Sequence, residues 1–285
     1  MLKFLVTAQQ KWRWSVLANR RATKIGQRHC AVIFVMMLAS SIGVGTPLEA
    51  RADESAAKAL VKAMSDCMAV QQAITFSFDT DLEIVTKDKQ KLALASSGTV
   101  TLNRPDKLHV TRHGGFADVE AIFDGKAMSL IDRNANVYGQ VDVHGSIDHL
   151  IDELRDKYHR PVPGADLLES NVYDALMPQV IDAKDLGSGV IGGVECDHLA
   201  FRTNEVDWQI WIAQGARPYP CQYVITSKLV DNGPQYSVQI RDWKAGNEVA
   251  SDDFSFKNST DAKKLELSDL DTDELPKIFA VGGSK

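Results

Sequence analysis

The sequence lacks three features that would each point to a familiar class of protein. Its longest apolar run, residues 31–44, has about fourteen residues, whereas a membrane-spanning helix needs roughly twenty. No repeat of fixed period is present. The partial catalytic patterns are incomplete as well, because Ser55-x-x-Lys58 has no partner motifs and the glycines of residues 189–193 lack the Lys-Ser/Thr of a phosphate loop. We therefore predict no catalytic residues, no cofactor and no enzymatic activity.

Acidic residues are missing from the first thirty positions, which carry seven basic ones. This basic segment, the apolar run and the small residues of Ala50-Arg51-Ala52 together form the three-part pattern of a secretion signal. Residues 1–52 are thus predicted to be a signal peptide cut between Ala52 and Asp53, with an uncleaved anchor as the alternative. The mature protein is expected to be soluble in the periplasm and not an integral membrane protein.

Removal of residues 1–52 leaves 24 basic and 37 acidic residues, a formal charge of −13. A nucleic-acid-binding surface needs a surplus of Lys and Arg facing the phosphates. The charge of the mature chain therefore excludes nucleic acid as the expected partner.

Apolar periodicity divides the mature chain into a helix over 54–73, six strands, two helices and five further strands. Alternation with a period of two is clearest in Ile74, Phe76 and Phe78, and Asp124-Gly125 is a strong hairpin signal. Eleven antiparallel strands are too many for a flat open sheet. The pattern predicts an α+β fold: a strongly curved antiparallel sheet of about eleven strands, an incomplete β-barrel, with helices packed on its concave face.

The predicted central helices begin at Ser146, a suitable N-cap, and a second helix is expected over 167–177. The first has an apolar face that could plug the mouth of the curved sheet. Its members are Ile147, Leu150, Ile151 and Leu154.

Several phrases of the sequence resemble known periplasmic proteins. Residues 103–108 (Asn-Arg-Pro-Asp-Lys-Leu) and 123–126 resemble the strand-turn phrases of the LolA-, LolB- and RseB-like half-barrels. Residues 196–201, 207–212 and 218–220 are similar to the most recognisable stretch of a periplasmic family of unknown function, number 2092 of its series. The resemblance spans about 55–257 and implies a half-barrel domain over 53–257, followed by an acidic tail over 258–285. Better-known half-barrels carry lipids or lipoproteins, or sense them as stress regulators.

Cys196 and Cys221 could form a disulfide in an oxidising compartment, closing a 24-residue interval for roughly 3 kcal/mol. Strand register would place them too far apart, whereas the loop over 215–220 could bring Cys221 back, so both readings stay open. The histidines, including His109, lack the tight spacing of zinc ligands, and no metal site is predicted. Trp211, on a polar strand face, is expected to pack beneath the C-terminal tail or to line a binding surface.

These features favour a periplasmic binding protein that holds an apolar ligand, a lipid or a lipoprotein acyl chain, between the sheet and the central helices. The alternative is an envelope adaptor or stress sensor that binds a protein and has no ligand cavity. The plug is the apolar helix face given above, and the expected sheet-side lining is Phe76, Phe78, Leu94, Trp208, Ile210 and Tyr223.

Overall fold

The computed structural model describes residues 48–115, 117–159 and 162–270. Most of the predicted export signal lies outside these residues, and the predicted cleavage site falls within the first described helix. The helices are α1 (Leu48–Ala69), α2 (Ile147–Asp156), a short 3₁₀ helix (Ala165–Leu168) and α3 (Val172–Leu176). The strands are β1 (Ala73–Val85), β2 (Lys91–Asn103), β3 (Lys107–Gly114), β4 (Asp118–Phe123), β5 (Ala127–Asp132), β6 (Val137–Asp142), β7 (Asp182–Ile191), β8 (Val194–Arg202), β9 (Val206–Ala213), β10 (Pro220–Ser227), β11 (Gln235–Ala245) and β12 (Lys263–Leu265).

All twelve strands belong to one sheet in the order β12-β6-β5-β4-β3-β2-β1-β11-β10-β9-β8-β7. Two antiparallel meanders, β1–β6 and β7–β11, are joined where β1 pairs with β11. Strand β7 therefore forms one edge of the sheet, and β6 lies next to the opposite edge strand, β12. The chain must cross the sheet between β6 and β7, which is why α2, the 3₁₀ helix and α3 lie over its concave face. This confirms the predicted α+β fold with a curved sheet and covering helices.

The long β1–β2 hairpin shows how the sequence sets the faces of the sheet. Ile74, Phe76 and Phe78 are buried on the concave side, while the residues between them are more exposed. The ring of Phe78 packs directly over Gly98, where an added Cβ would lie 2.5 Å from the Phe78 Cζ atom and 1.9 Å from a backbone oxygen of Thr111. Only glycine allows β3 and the Phe78 ring to approach this closely.

Helix α1 packs against β7, β8 and β9. Its buried apolar residues are Ala57, Val61, Met64 and Met68. Ala56 and Ala63 lie away from this stripe and are exposed, as is Val70, which follows the end of the helix at Ala69.

The sequence predicts one continuous helix over 167–177, and this is wrong, because residues 169–171 separate the 3₁₀ helix from α3. Arg104 donates hydrogen bonds to the carbonyl oxygens of Leu168 (3.1 Å) and Glu169 (3.0 Å), which ends the 3₁₀ helix. The side chain of Asn171 then accepts a hydrogen bond from the backbone N–H of Asp174 and starts α3.

The segment after β11 adds the twelfth strand, which the sequence-based count of eleven did not include. It crosses the convex face, where Asp252 contacts His109 and the ring of Phe256 lies 4.8 Å from that of Tyr138. Strand β12 then pairs in parallel with β6, and Leu267 and Leu270 turn into the core. Residues 258–270, predicted as part of the tail, are therefore packed on the sheet.

Candidate functional site

The concave face beneath the covering helices holds nearly all of the residues predicted to line a ligand site. From the sheet these are Phe76, Phe78, Trp208, Ile210 and Tyr223, and from α2 Ile147, Leu150, Ile151 and Leu154. All nine belong to one buried cluster. Leu94 is the exception: it is half-exposed near the end of the β1–β2 hairpin, opposite Leu82.

An aromatic group occupies one end of this face, on β8, β9 and β10. The ring of Trp208 stacks on that of Phe201 at 4.0 Å and meets that of Tyr223 edge-on at 5.7 Å. Trp208 lies opposite Ile225 and Tyr223 opposite Ile210, so the two residues are diagonal neighbours on adjacent strands. We call Phe201, Trp208 and Tyr223 the aromatic corner.

Two polar atoms of the aromatic corner are fully buried without a hydrogen-bond partner: the indole Nε1 of Trp208 and the hydroxyl of Tyr223. A third such atom is the Nε of Arg104. A buried unpaired donor typically costs about 1–3 kcal/mol. The concave face is therefore apolar in its composition, but it contains buried hydrogen-bond donors that have no acceptor among the described residues.

The described residues over 146–159 and 162–177, which we call the cover, are attached to the rest of the described chain at a few points. The backbone N–H of Ile147 donates to the carbonyl oxygen of Pro105 (2.8 Å), and the backbone N–H of Tyr173 donates to the hydroxyl of Ser65 (3.0 Å). Arg104 holds the carbonyls at 168 and 169 between these points. Elsewhere, the four apolar residues of α2 contribute burial without directional bonds to the sheet-side cluster.

Two carboxylates of the cover, Asp166 and Glu169, have raised pKa values. Burial raises the pKa of Asp166 to about 6. Burial, and then the negative charges of Asp166, Asp148 and Asp152, raise the pKa of Glu169 to about 7. Burial also raises the pKa of Tyr223, and the charge of Asp166 raises it further.

Asp166, Glu169 and Arg104 were not predicted as site residues from the sequence. Their positions follow from the crossing of the chain between the two ends of the sheet, which no local pattern encodes. The only local signal was the Arg104-Pro105 turn, which served as a mark of the family resemblance.

Cys196 and Cys221 are free thiols buried together with Ala213 on the convex side, at the ends of β8, β9 and β10. Cys221 lies at an irregularity between the pairs Pro220–Ile212 and Gln222–Trp211, and this brings its thiol within hydrogen-bonding contact of Cys196. Burial, followed by this contact, raises the pKa of Cys221 to about 12. A disulfide between them stays a prediction.

The prediction that Trp211 packs beneath the C-terminal tail is wrong. Its ring stacks on His198 at 4.0 Å, and its Nε1 lies against Gly189 of β7. The C-terminal segment instead crosses β3–β6. Within the described ranges, no group of three or more His, Cys, Asp or Glu side chains could hold a metal ion.

The fold and the covered concave face define a half-barrel protein of the kind that the sequence resemblance suggested. Residues 57–268 match the family of predicted periplasmic proteins designated DUF2092, and the chain belongs to that family. The resemblance drawn from residues 196–201, 207–212 and 218–220 is thus confirmed. The family description supports a periplasmic location.

Three solved structures are similar in outline. Lipoprotein LppX of Mycobacterium tuberculosis is 13% identical, with a TM-score of 0.36, and the match covers 70% of this chain and 100% of that one. LprF of Mycobacterium bovis is 12% identical, with a TM-score of 0.39, over 72% and 99%. The MucA/MucB complex of Pseudomonas aeruginosa gives 11% identity and a TM-score of 0.37 over 71% and 61%. At these TM-scores the likenesses carry no inference about a ligand or a partner.

No curated protein matches the sequence. Among the residues that the structure describes, no helix is both long enough and apolar enough to cross a membrane.

Proposed function

We propose that the protein binds an apolar ligand, a lipid or a lipoprotein acyl chain, in the envelope. The ligand lies between the concave face of the sheet and the cover. The observation that carries this proposal is the way the cover is held: apolar contacts along α2, with hydrogen bonds at a few points such as Ile147–Pro105 and Tyr173–Ser65.

An acyl chain can replace such contacts with contacts of the same kind. Burying sixteen methylene groups at about 0.8 kcal/mol each gives roughly 13 kcal/mol before the costs of ordering are subtracted. Burying an isoleucine or leucine side chain contributes about 1.5–3 kcal/mol. The four apolar side chains of α2 are therefore of comparable value to one acyl chain, and exchange between them is energetically accessible.

The test is native mass spectrometry of the processed protein, purified without detergent from its own envelope. We expect an added mass that organic extraction removes and identifies as lipid. The matched control is the same chain without residues 1–52, produced in the cytoplasm and delipidated, which should be free of ligand.

Hydrogen exchange adds a second measurement on the delipidated protein. Binding should change the protection of the α2 amides, residues 147–156, more than that of the β1–β2 hairpin. A clean ligand-free mass from the envelope, together with α2 amides that no lipid affects, would exclude the proposal.

A second candidate function is supported by strand β7, which forms one edge of the sheet. Its Leu186 and Val190, and Ile181 just before it, are 48%, 65% and 59% exposed. An edge of this kind can accept a strand from another protein, as an envelope adaptor or stress sensor would require. Cross-linking from Val190 in intact cells, with exposed Val162 as the control position, tests for such a partner.

A further inference from the structure

The aromatic corner specifies more than an apolar ligand, because its two unpartnered groups can both donate. The indole N–H of Trp208 can only donate a hydrogen bond, and the hydroxyl of Tyr223 can donate as well. Both side chains are almost completely buried, at 1% and 0% exposed. A ligand made of hydrocarbon alone would leave both donors unsatisfied.

The two donors belong to neighbouring side chains. They come from diagonal positions on β9 and β10, and their rings meet edge-on at 5.7 Å. The 3₁₀ helix covers the adjoining strand: a Cβ on Gly164, just before it, would lie 3.5 Å from Tyr236 and 3.9 Å from Val238 of β11, and Val238 pairs with Tyr223. A group bound beneath this turn would therefore lie beside Tyr223.

The negative charge of the cover determines which kind of hydrogen-bond acceptor a ligand can place at these donors. Asp166 follows Gly164 in the turn that packs beside Val238, the strand partner of Tyr223, and its charge acts on the Tyr223 phenol. Glu169, on the same segment, lies in the field of Asp166, Asp148 and Asp152, which the positive charge of Arg155 offsets in part. An anionic head group placed at the donors would be repelled by these carboxylates. A neutral carbonyl oxygen accepts the same hydrogen bonds without that repulsion.

We propose that the interior site recognises a neutral acylated ligand, whose ester or amide carbonyl oxygen accepts hydrogen bonds from Trp208 Nε1 and the Tyr223 hydroxyl. This inference rests on the proposed function, because it names the class of apolar ligand that the concave face takes. Glycerides and N-acylated polypeptides share the required chemistry.

The test compares four probes of equal chain length on the delipidated protein: monolaurin, N-lauroylethanolamine, laurate and dodecane. Each competes at pH 8 with the neutral dye N-phenyl-1-naphthylamine, and the concentration that displaces half of the dye is measured. We expect the ester and the amide to act at about tenfold lower concentration than laurate and dodecane. The ratio of ester to amide then distinguishes a glyceride from an N-acylated polypeptide as the source.

Tyr223→Phe removes only the donor oxygen. It should raise the half-displacing concentration of monolaurin about tenfold, which removes its advantage over dodecane, and leave that of dodecane unchanged. It should also raise the melting temperature of the ligand-free protein, because a buried hydroxyl without a partner is lost. Trp208→Phe keeps an aromatic ring and should weaken monolaurin similarly. Tyr138→Phe, on the half-exposed convex side, is the matched control and should change neither quantity.

The outcomes separate this inference from the proposed function. If none of the probes displaces the dye, both proposals fail. If all four displace it equally and Tyr223→Phe alters none of them, the site is a hydrocarbon pocket or its donors are satisfied by water, and only the inference of a carbonyl ligand fails. Laurate as strong as monolaurin at pH 8 would overturn the selection for neutral ligands.

Discussion

Two polar regions lie on opposite faces of the same sheet, and they differ in whether their hydrogen bonds are made. On the convex face, the ring nitrogens of His109 lie 2.9 Å from Asp252 and 2.8 Å from Glu120, and both donate when the ring is protonated. Arg133 also donates to Glu120 (2.6 Å). On the concave face, Trp208 and Tyr223 have donors without acceptors. Each region lies where an irregular segment covers the sheet, the C-terminal segment in one case and the cover in the other.

The difference separates a structural role from the proposed binding role. The convex network joins β3, β4, the turn after β5 and the C-terminal segment, and its partners all come from the protein, so it fixes the C-terminal segment in place. The aromatic corner is incomplete within the chain, and the carboxylate above it has a raised pKa. A group from outside would complete it, whereas nothing is missing on the convex face.

The largest effect is expected where the C-terminal segment enters the core. Leu270 is 2% exposed, and its Cδ1 would be only 2.7 Å from a Cβ on Gly139. Leu270→Ala should lower the free energy of unfolding by about 3 kcal/mol, since it deletes buried methyl groups and leaves a cavity. Urea denaturation measures this.

Ser268→Ala in the same segment is the control, because Ser268 is exposed. A loss below about 1 kcal/mol for Leu270→Ala would show that the segment is only loosely attached. The C-terminal segment on the convex face would then be no more firmly held than the cover on the concave face.

A smaller effect of opposite sign is expected on the cover. Because burial raises the pKa of Asp166 to about 6 in the folded protein, its charged form opposes folding. This destabilisation is fully present above pH 6 and disappears below the unfolded pKa of about 3.9. Asp166→Asn should therefore stabilise the protein at pH 8 by about 2 kcal/mol, part of the effect being offset by the positive charge of Arg155, and have little effect at pH 3.5.

Urea unfolding at the two pH values measures the difference, with exposed Asp142→Asn as the control. Equal effects of Asp166→Asn at both pH values would mean that its charge is not the destabilising factor. The cover would then resemble the convex network in having its charges satisfied.

Sequence reasoning succeeded where structure follows a local period and failed where it depends on topology. The alternation of Ile74, Phe76 and Phe78 and the cap at Ser146 predicted the strands, the curved sheet and α2. The pairing of β1 with β11 joins segments more than 150 residues apart. It separates β6 from β7 in the sheet, and the crossing between these two strands places Asp166 in the cover and the cover over Arg104. Strand β12 was missed because three residues of a charged segment carry no periodic signal, although Leu267 and Leu270 follow them.

The smallest effect concerns His109. Burial alone would lower its pKa, but its hydrogen bonds and ion pairs with Asp252 and Glu120 raise it overall. The stabilisation is therefore fully present below about pH 6.5, the unfolded value, and is lost as the pH rises through the higher folded value. Because the site is partly exposed, we expect His109→Gln to cost about 0.5 kcal/mol at pH 5.5 and almost nothing at pH 9.

His113→Gln on the same strand is the matched control, since its side chain is 76% exposed. Unfolding free energies at the two pH values, measured also in high salt, should show a salt-sensitive loss for His109→Gln alone. If the loss were the same at pH 5.5 and pH 9, the ring would act by packing rather than by charge. The convex network would then owe its stability to packing, and the cover, through Asp166, would be the region whose stability depends on protonation.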